Sequence, residues 1–201
     1  KINHDLRNML ASAQLISDRL ASGSDPLTRR LAPKLVATLD RAIAFCQSTL
    51  TYGRAAERAP QPARMKLHST VAEAAEIVSP ADSGRTPIVN AVPRDFEVAA
   101  DAEHILRVLV NLFRNAGEAL ESAGPQPGLL AEVRVSARRE ADHIAMEVAD
   151  TGPGIPEAER ELVFERFYRV LGNEAGGSGL GLAIVAEIAD QHRATISIDD
   201  G

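Results

Sequence analysis

A proline-rich break, Arg58-Ala-Pro-Gln-Pro-Ala-Arg64, divides this chain into two parts whose apolar residues repeat with different periods. Ahead of it, Ile2, Leu6, Met9, Ala13, Ile16 and Leu20 alternate steps of four and three, a heptad seam. Gly23 and Ser24 end that run, and Asp25-Pro26 supply an N-cap and a first-turn proline. A second helical run follows, with Leu31, Leu35, Thr38, Ala42, Phe45, Thr49 and Tyr52 on one stripe and Leu39, Ile43, Cys46 and Leu50 beside it. Pro33 should kink this helix near its start, because it removes a backbone donor. Two helices with such wide apolar faces cannot bury them against each other alone. The expected solution is a homodimer in which two hairpins form a four-helix bundle.

Beyond the break, with a linker expected over 58–65, the pattern becomes mixed. Lys66 to Val78 suggests a short strand and a helix, and Pro87 to Val92 and Phe96 to Ala99 suggest strands. Asp101 to Ser122 reads as a long helix. Leu130 to Arg138 and His143 to Ala149 alternate like antiparallel strands. A glycine-rich segment leads into a helix near Gly179 to Gln191, and Thr195 to Ile198 suggests a last strand. The expected fold class is an α-helical hairpin over 1–57, then an α+β two-layer sandwich over 66–201. There are no internal repeats or low-complexity tracts.

Composition narrows the function classes. The chain has no Trp, two Tyr and five Phe, so its cores must be aliphatic. A formal charge of −6 argues against a nucleic-acid surface, which needs a basic patch. A bound phosphate would have to be held by a local site. One Cys allows no internal disulfide, and a reducing, cytoplasmic setting is the simplest reading. No apolar run approaches the ~20 residues needed to cross a bilayer, and there is no signal-peptide pattern. The start at Lys1-Ile2-Asn3-His4, without an initiating Met, suggests a fragment of a longer protein, tied to a membrane only through upstream segments, if at all.

Four stretches of the second part carry chemistry. In Asn111-Leu-Phe-Arg-Asn115-Ala-Gly-Glu118, the two Asn are one helical turn apart and share a face. His104, Arg107, Arg114 and Glu118 are expected on that polar side, with Ile105, Leu109, Leu112 and Ala116 as the buried stripe. Alone, the pair reads more readily as a solvated face, although Asn is a mediocre helix former. Asp150-Thr-Gly152-Pro-Gly154-Ile155 follows an apolar strand. Its aspartate could accept from an adenine amino group, or the stretch could be a strand-ending turn. Phe164-Glu-Arg166-Phe167-Tyr168-Arg169 then enters a glycine-rich loop. Gly177-Ser-Gly179-Leu180-Gly181-Leu182 precedes a helix, whose free N–H groups suit polyphosphate.

In this order the four stretches resemble the N, G1, F and G2 boxes of the GHKL ATPases. These include histidine kinases, gyrase-type topoisomerases, Hsp90 chaperones and mismatch-repair ATPases. The resemblance covers roughly residues 66 to 201 and implies an ATP site. It implies Asn115 as a ligand of Mg²⁺ with Asn111 in support, oxygen donors that suit this hard ion. It gives Asp150 the adenine, with Gly152 and Gly154 lining its pocket. Gly177, Gly179, Leu180 and Gly181 would lie at the triphosphate, Arg166 and Arg169 would be candidate phosphate contacts, and residues from about Phe164 to Ser178 a mobile lid.

The first part selects among these families. His4-Asp5-Leu6-Arg7-Asn8 resembles the H-box of the dimerisation and histidine-phosphotransfer domain of sensor histidine kinases. With Ile2 and Leu6 at positions d and a, His4 falls at f, the most exposed heptad position, where a core histidine would not be. Asp5 could accept the other ring proton of His4 and raise its nucleophilicity, or simply complement the helix dipole. Asn8 lies one turn along the same face, and the resemblance implies that it places water for dephosphorylating a partner. The family expectation is autophosphorylation of His4 from Mg-ATP and transfer to an aspartate of a response-regulator receiver domain. The alternative is a nucleotide-binding regulatory scaffold with little kinase activity. Two departures stand out. Glu118 sits where many histidine kinases carry a basic residue, and Gln191 to Thr195 lacks the glycine pair often found before the last strand.

Overall fold

The computed structural model describes residues 59–80, 86–124, 128, 130–169 and 179–199, all of which belong to one compact unit. The expected helical hairpin over 1–57, with its dimer interface, lies outside the described residues.

The unit begins with strand β1, Ala63–Lys66, which leads directly into helix α1, Leu67–Val78. Strands β2, Ile88–Asn90, and β3, Glu97–Ala100, precede the long helix α2, Ala102–Ala123. The hairpin of β4, Val133–Arg139, and β5, Ile144–Asp150, follows. Two single 3₁₀ turns, Glu157–Glu159 and Leu162–Phe164, and helix α3, Gly181–Gln191, complete the order.

The strands form two small sheets. β1 pairs antiparallel with β3, Ala63 opposite Ala100 and Lys66 opposite Glu97. Ala63, Arg64 and Met65, expected in the linker, are therefore sheet residues. Their strand character comes from β3, 34 residues further on (Glu97 opposite Lys66 closes the ladder), and not from any alternation of their own. In the second sheet β4 is central, parallel to β2 and antiparallel to β5. Parallel pairing requires a crossover, which β3 and α2 supply. No ladder forms at Thr195–Ile198. Alternation suits a strand, but backbone partners make one, and Thr195–Ile198 pairs with neither edge strand of the sheet, β2 or β5.

α2 exists because its N-terminus is capped and one face is apolar. The Asp101 carboxylate accepts from the Glu103 and His104 N–H groups at 3.0 and 3.3 Å, a cap typically worth ~1 kcal/mol. α1 has no side-chain cap. Its first N–H donates instead to Phe96 O at 3.0 Å, which ties the helix to the residue just before β3. Leu67, Val71, Ala74 and Val78 of α1 meet Leu109, Phe113, Ala116 and Leu120 of α2 and Val133 and Val135 of β4 in one core. Fully burying each of the larger side chains contributes roughly 1.5–3 kcal/mol. α3 lies against α2 and buries Ala183, Ile184, Val185 and Ile188. Among the described residues, no helix is long and apolar enough to cross a membrane.

One expectation about α2 is corrected. His104 does not lie on a solvated face. It is 6% exposed and joins the buried row of Val108, Leu109, Phe113, Ala116 and Leu120, whereas Ile105 and Leu112 are only partly buried. α3 covers the side of α2 that a single amphipathic helix would leave in water.

Candidate nucleotide site

The site is built along α2. Asn111 and Asn115 are both half-buried. The Asn111 side-chain amide donates to Arg107 O at 2.8 Å, which fixes its rotamer along the helix. Opposite them, α3 starts with Gly181. A Cβ on Gly181 would lie 3.0 Å from Asn115 Oδ1, 3.3 Å from its Nδ2 and 3.6 Å from Asn111 Oδ1. The amide pair of α2 thus faces the opening turn of α3. The N-cap position, Leu180, is buried and makes no side-chain capping bond. The first-turn N–H groups therefore keep the partial positive charge of a helix N-terminus beside two amide oxygens.

Gly179 is required for a different reason. Its φ is +69°, and a Cβ there would sit 2.8 Å from the carbonyl carbon of Phe167 and 2.9 Å from its Cα. The contact is held by a Phe167 N–H···O hydrogen bond to Gly179 of 2.8 Å. This joins the Phe-x-x-Phe stretch to the glycine stretch. Phe167 itself adopts φ +67° and is half-exposed. Nearby, the Tyr168 hydroxyl donates to Glu159 Oε2 at 3.0 Å and Arg160 Nε donates to Ile155 O at 3.2 Å. These bonds stitch the segment from β5 to Tyr168 together.

Asp150, the last residue of β5, is exposed, and its Oδ1 accepts the Gly152 N–H at 2.8 Å. This Asx-type turn orients the carboxylate. The same turn reaches α2, since a Cβ on Gly152 would lie 3.7 Å from that of Ala119, one turn beyond Asn115. Thr151 anchors the turn to the chain before β4, accepting from Glu132 N–H and donating to Leu130 O, both at 3.1 Å. Gly154 follows at φ +70°.

The structure therefore gathers Asn111, Asn115, Gly181, Gly179, Asp150 and Gly152 around one stretch of α2. Arg166 and Arg169 are exposed on the segment after Phe164. Arg169 is near enough to act on Glu118, whose carboxyl is pushed up chiefly by burial and further by Glu121, against the opposing pull of Arg114 and Arg169. Gly177, and His4, Asp5 and Asn8, lie outside the described residues. Sequence reasoning missed Ala119, which carries no chemical signal, and the grouping of Asp101, His104 and His192 at the other end of α2. The Asp101 cap was legible, but its partners were not.

The chain matches the family model described as histidine kinase-, DNA gyrase B-, and HSP90-like ATPase over residues 100–201. The sensor-like histidine kinase SenX3 of Mycolicibacterium smegmatis is 32% identical over 205 residues, covering 98% of this chain and 52% of that protein. The histidine-protein kinase/phosphatase MprB of Mycobacterium sp. (strain KMS) is 42% identical over 106 residues, 52% of this chain and 19% of that protein. The chain thus spans about half the length of SenX3. Among solved structures, full-length ShkA in complex with AMPPNP superposes with a TM-score of 0.66 at 22% identity, over 100% of this chain and 42% of that one. The histidine kinase ThkA, in complex with the response regulator protein TrrA, does so with a TM-score of 0.56 at 22% identity, over 86% of this chain and 50% of that one. Both support the fold. With the ordered boxes converging on α2 and the model matching across them, the chain belongs to the histidine kinase-, DNA gyrase B- and HSP90-like ATPase family, and its named relatives there are sensor histidine kinases.

Proposed function

We propose that the chain is the catalytic core of a histidine kinase, which binds Mg-ATP along α2 and phosphorylates its own His4. The observation that carries this reading is the approach of Gly181 to the Asn111–Asn115 amides. It sets oxygen ligands and helix N-terminal N–H groups side by side, the combination that a metal-bound polyphosphate needs.

The residues fit the ligand class. Asn115 would hold Mg²⁺ through its amide oxygen, with Asn111 supporting it, and the ion would supply charge neutralisation at the phosphates. Gly179, Leu180 and Gly181 would present backbone to the triphosphate, with Gly177 alongside. Asp150 has Oδ1 engaged by Gly152, which leaves Oδ2 to accept from an adenine amino group. Gly152 and Gly154 would line that pocket. Arg166 and Arg169, exposed at its edge, would steer the phosphates. ShkA was solved with an ATP analogue, in keeping with this assignment.

His4 would attack the γ-phosphorus, forming an N–P bond as the bond to the β–γ bridging oxygen breaks and ADP leaves. Asp5 would orient the imidazole. Catalysis in such transfers is mostly positioning. The phosphohistidine would then pass its phosphoryl group to an aspartate of a response-regulator receiver domain, the kind of partner bound to ThkA. Asn8 would place water to hydrolyse the regulator's aspartyl phosphate to free phosphate, the phosphatase function that the name of MprB records. The working form would be a homodimer through the hairpin, on the cytoplasmic side of any membrane.

The test is incubation of the chain with Mg-ATP labelled at the γ position. The label should be acid-labile and alkali-stable, absent from His4→Gln, and lost from Asn115→Ala together with nucleotide binding. Label that persists in His4→Gln would overturn the phosphoacceptor. Nucleotide binding without any label in the wild type would favour a regulatory scaffold.

A further inference from the structure

At the end of α2 opposite the nucleotide site, four backbone and side-chain groups converge on Asp101. Its Oδ1 caps the helix, and its Oδ2 accepts the Gln61 N–H at 2.8 Å from the proline-flanked segment ahead of β1. Its own N–H donates to His192 Nε2 at 3.3 Å. A backbone amide can only donate, so Nε2 must accept and His192 must carry its proton on Nδ1. Nδ1 lies 3.1 Å from Ile188 O, which accepts that proton and closes the C-terminal end of α3. The ring of His104 lies against that of His192, centroids 5.3 Å apart and planes inclined at 59°. His104 is 6% exposed, and its Nδ1 has no hydrogen-bond partner among the described residues.

We propose that Asp101, His104 and His192 form a proton-sensitive latch, which holds the Gln61 segment and the C-terminal end of α3 on the N-terminus of α2 and lets both go when the histidines are protonated.

The arrangement suits neutral rings only. A proton on Nε2 of His192 would set two donors against each other across the bond to Asp101. A charge on His104 would be buried. The titratable and charged groups facing it are Asp101, Glu103 and Arg107 on α2 and His192 beyond α3. Burial holds its proton affinity below the ordinary histidine range, and His192 and Arg107 oppose the charge further, against the pull of Asp101 and Glu103. An imidazolium here would also attract the Asp101 carboxylate, which the Gln61 N–H and the first turn of α2 share. Because α2 and α3 run antiparallel, they meet at Gly181 and Asn115 at one end and at His192 and Asp101 at the other. The latch thus fixes the far end of the helix pair, about 16 Å along α3 from the nucleotide end.

The test is amide hydrogen exchange of the whole chain at pH 7.5 and 5.5, with rates corrected for the intrinsic effect of pH. In the wild type, protection at Gln61 and Asp101 should fall at least ~tenfold on acidification while Leu109 and Phe113 keep theirs. In Asp101→Asn the amide oxygen still caps Glu103 and His104, but the NH₂ cannot accept. Gln61 should exchange quickly at both pH values with the first turn of α2 intact. In His104→Leu/His192→Gln the glutamine oxygen can accept where Nε2 did, and Asp101 should stay protected at both. The proposal is overturned if wild-type Gln61 and Asp101 hold their protection at pH 5.5, if the double variant loses it as the wild type does, or if Leu109 and Phe113 fall with them. None of these readings depends on nucleotide binding, so the latch and the kinase assignment stand or fall separately.

Discussion

Gly181 opens α3 directly over the side-chain amide of Asn115, at a separation that leaves room for a hydrogen and little more: a methyl carbon there would stand 3.0 Å from Asn115 Oδ1. The amide can give way, so the cost of filling the space falls on the asparagine's orientation and not on the fold. For Gly181→Ala, at the first position of α3, a gain in helix propensity smaller than the ~1 kcal/mol of an interior site should offset part of the local strain. The expected outcome is a thermal midpoint close to wild type and affinity for Mg-AMPPNP weaker by at least ~tenfold, equal to about 1.4 kcal/mol. Calorimetric titration checks this. Unchanged affinity would remove Gly181 and Asn115 from the ligand's surroundings.

Gly179 is the contrasting case, because its neighbour is backbone. Gly179→Ala would put a side chain at φ +69°, 2.8 Å from the Phe167 carbonyl carbon. The left-handed conformation alone costs an L-residue roughly 1–2 kcal/mol, and relieving the clash would strain the Phe167 N–H bond to Gly179 O. Urea unfolding should therefore show a loss of at least ~1 kcal/mol. A midpoint equal to that of wild type would mean that the two stretches are not packed together.

Arg193 occupies a position that glycine would suit better. It follows α3 at φ +55°, while Ala194 N–H bonds back to Ala189 O at 2.8 Å, a left-handed helix ending. The missing glycine pair of the sequence is thus a missing residue type, not a missing conformation. Arg193→Gly should raise stability by roughly 1 kcal/mol, with part of the relief returned as unfolded-chain entropy. Differential scanning calorimetry reads the change, and a lower midpoint would contradict the assigned helix end.

What the sequence made legible follows from which features are local. Asp101 capping α2, the alternation of Val133 and Val135 in β4, and the shared face of Asn111 and Asn115 depend on neighbours within a turn or a pleat. So does the glycine-rich start of α3. The features that eluded sequence reasoning depend on distant chain. Ala63 and Arg64 become a strand because β3 lies alongside, and Thr195–Ile198 alternates correctly yet forms no ladder. His104 looked like part of a polar face because a helical wheel cannot show that α3 covers it. Its neighbour His192 lies beyond the far end of another helix, and the bond from Asp101 to His192 spans 91 positions in sequence.

That buried histidine makes its own contribution to the pH response of the fold. Burial, with lesser opposition from His192 and Arg107, holds His104 below the 6.5 that an unfolded chain would show. Between the folded value and 6.5 the unfolded state therefore binds more protons at this residue than the native one, and the residue's contribution to the unfolding free energy rises with pH across that window. Stability from this residue is complete above the unfolded value and is lost as the pH falls below it. Urea titrations in closely spaced buffers from about pH 5 to 8 should show that slope in the wild type. In His104→Leu the same series should be flatter, whatever its absolute stability, because the variant has no proton to take up at this site. An equal slope in both proteins would place the acid sensitivity elsewhere.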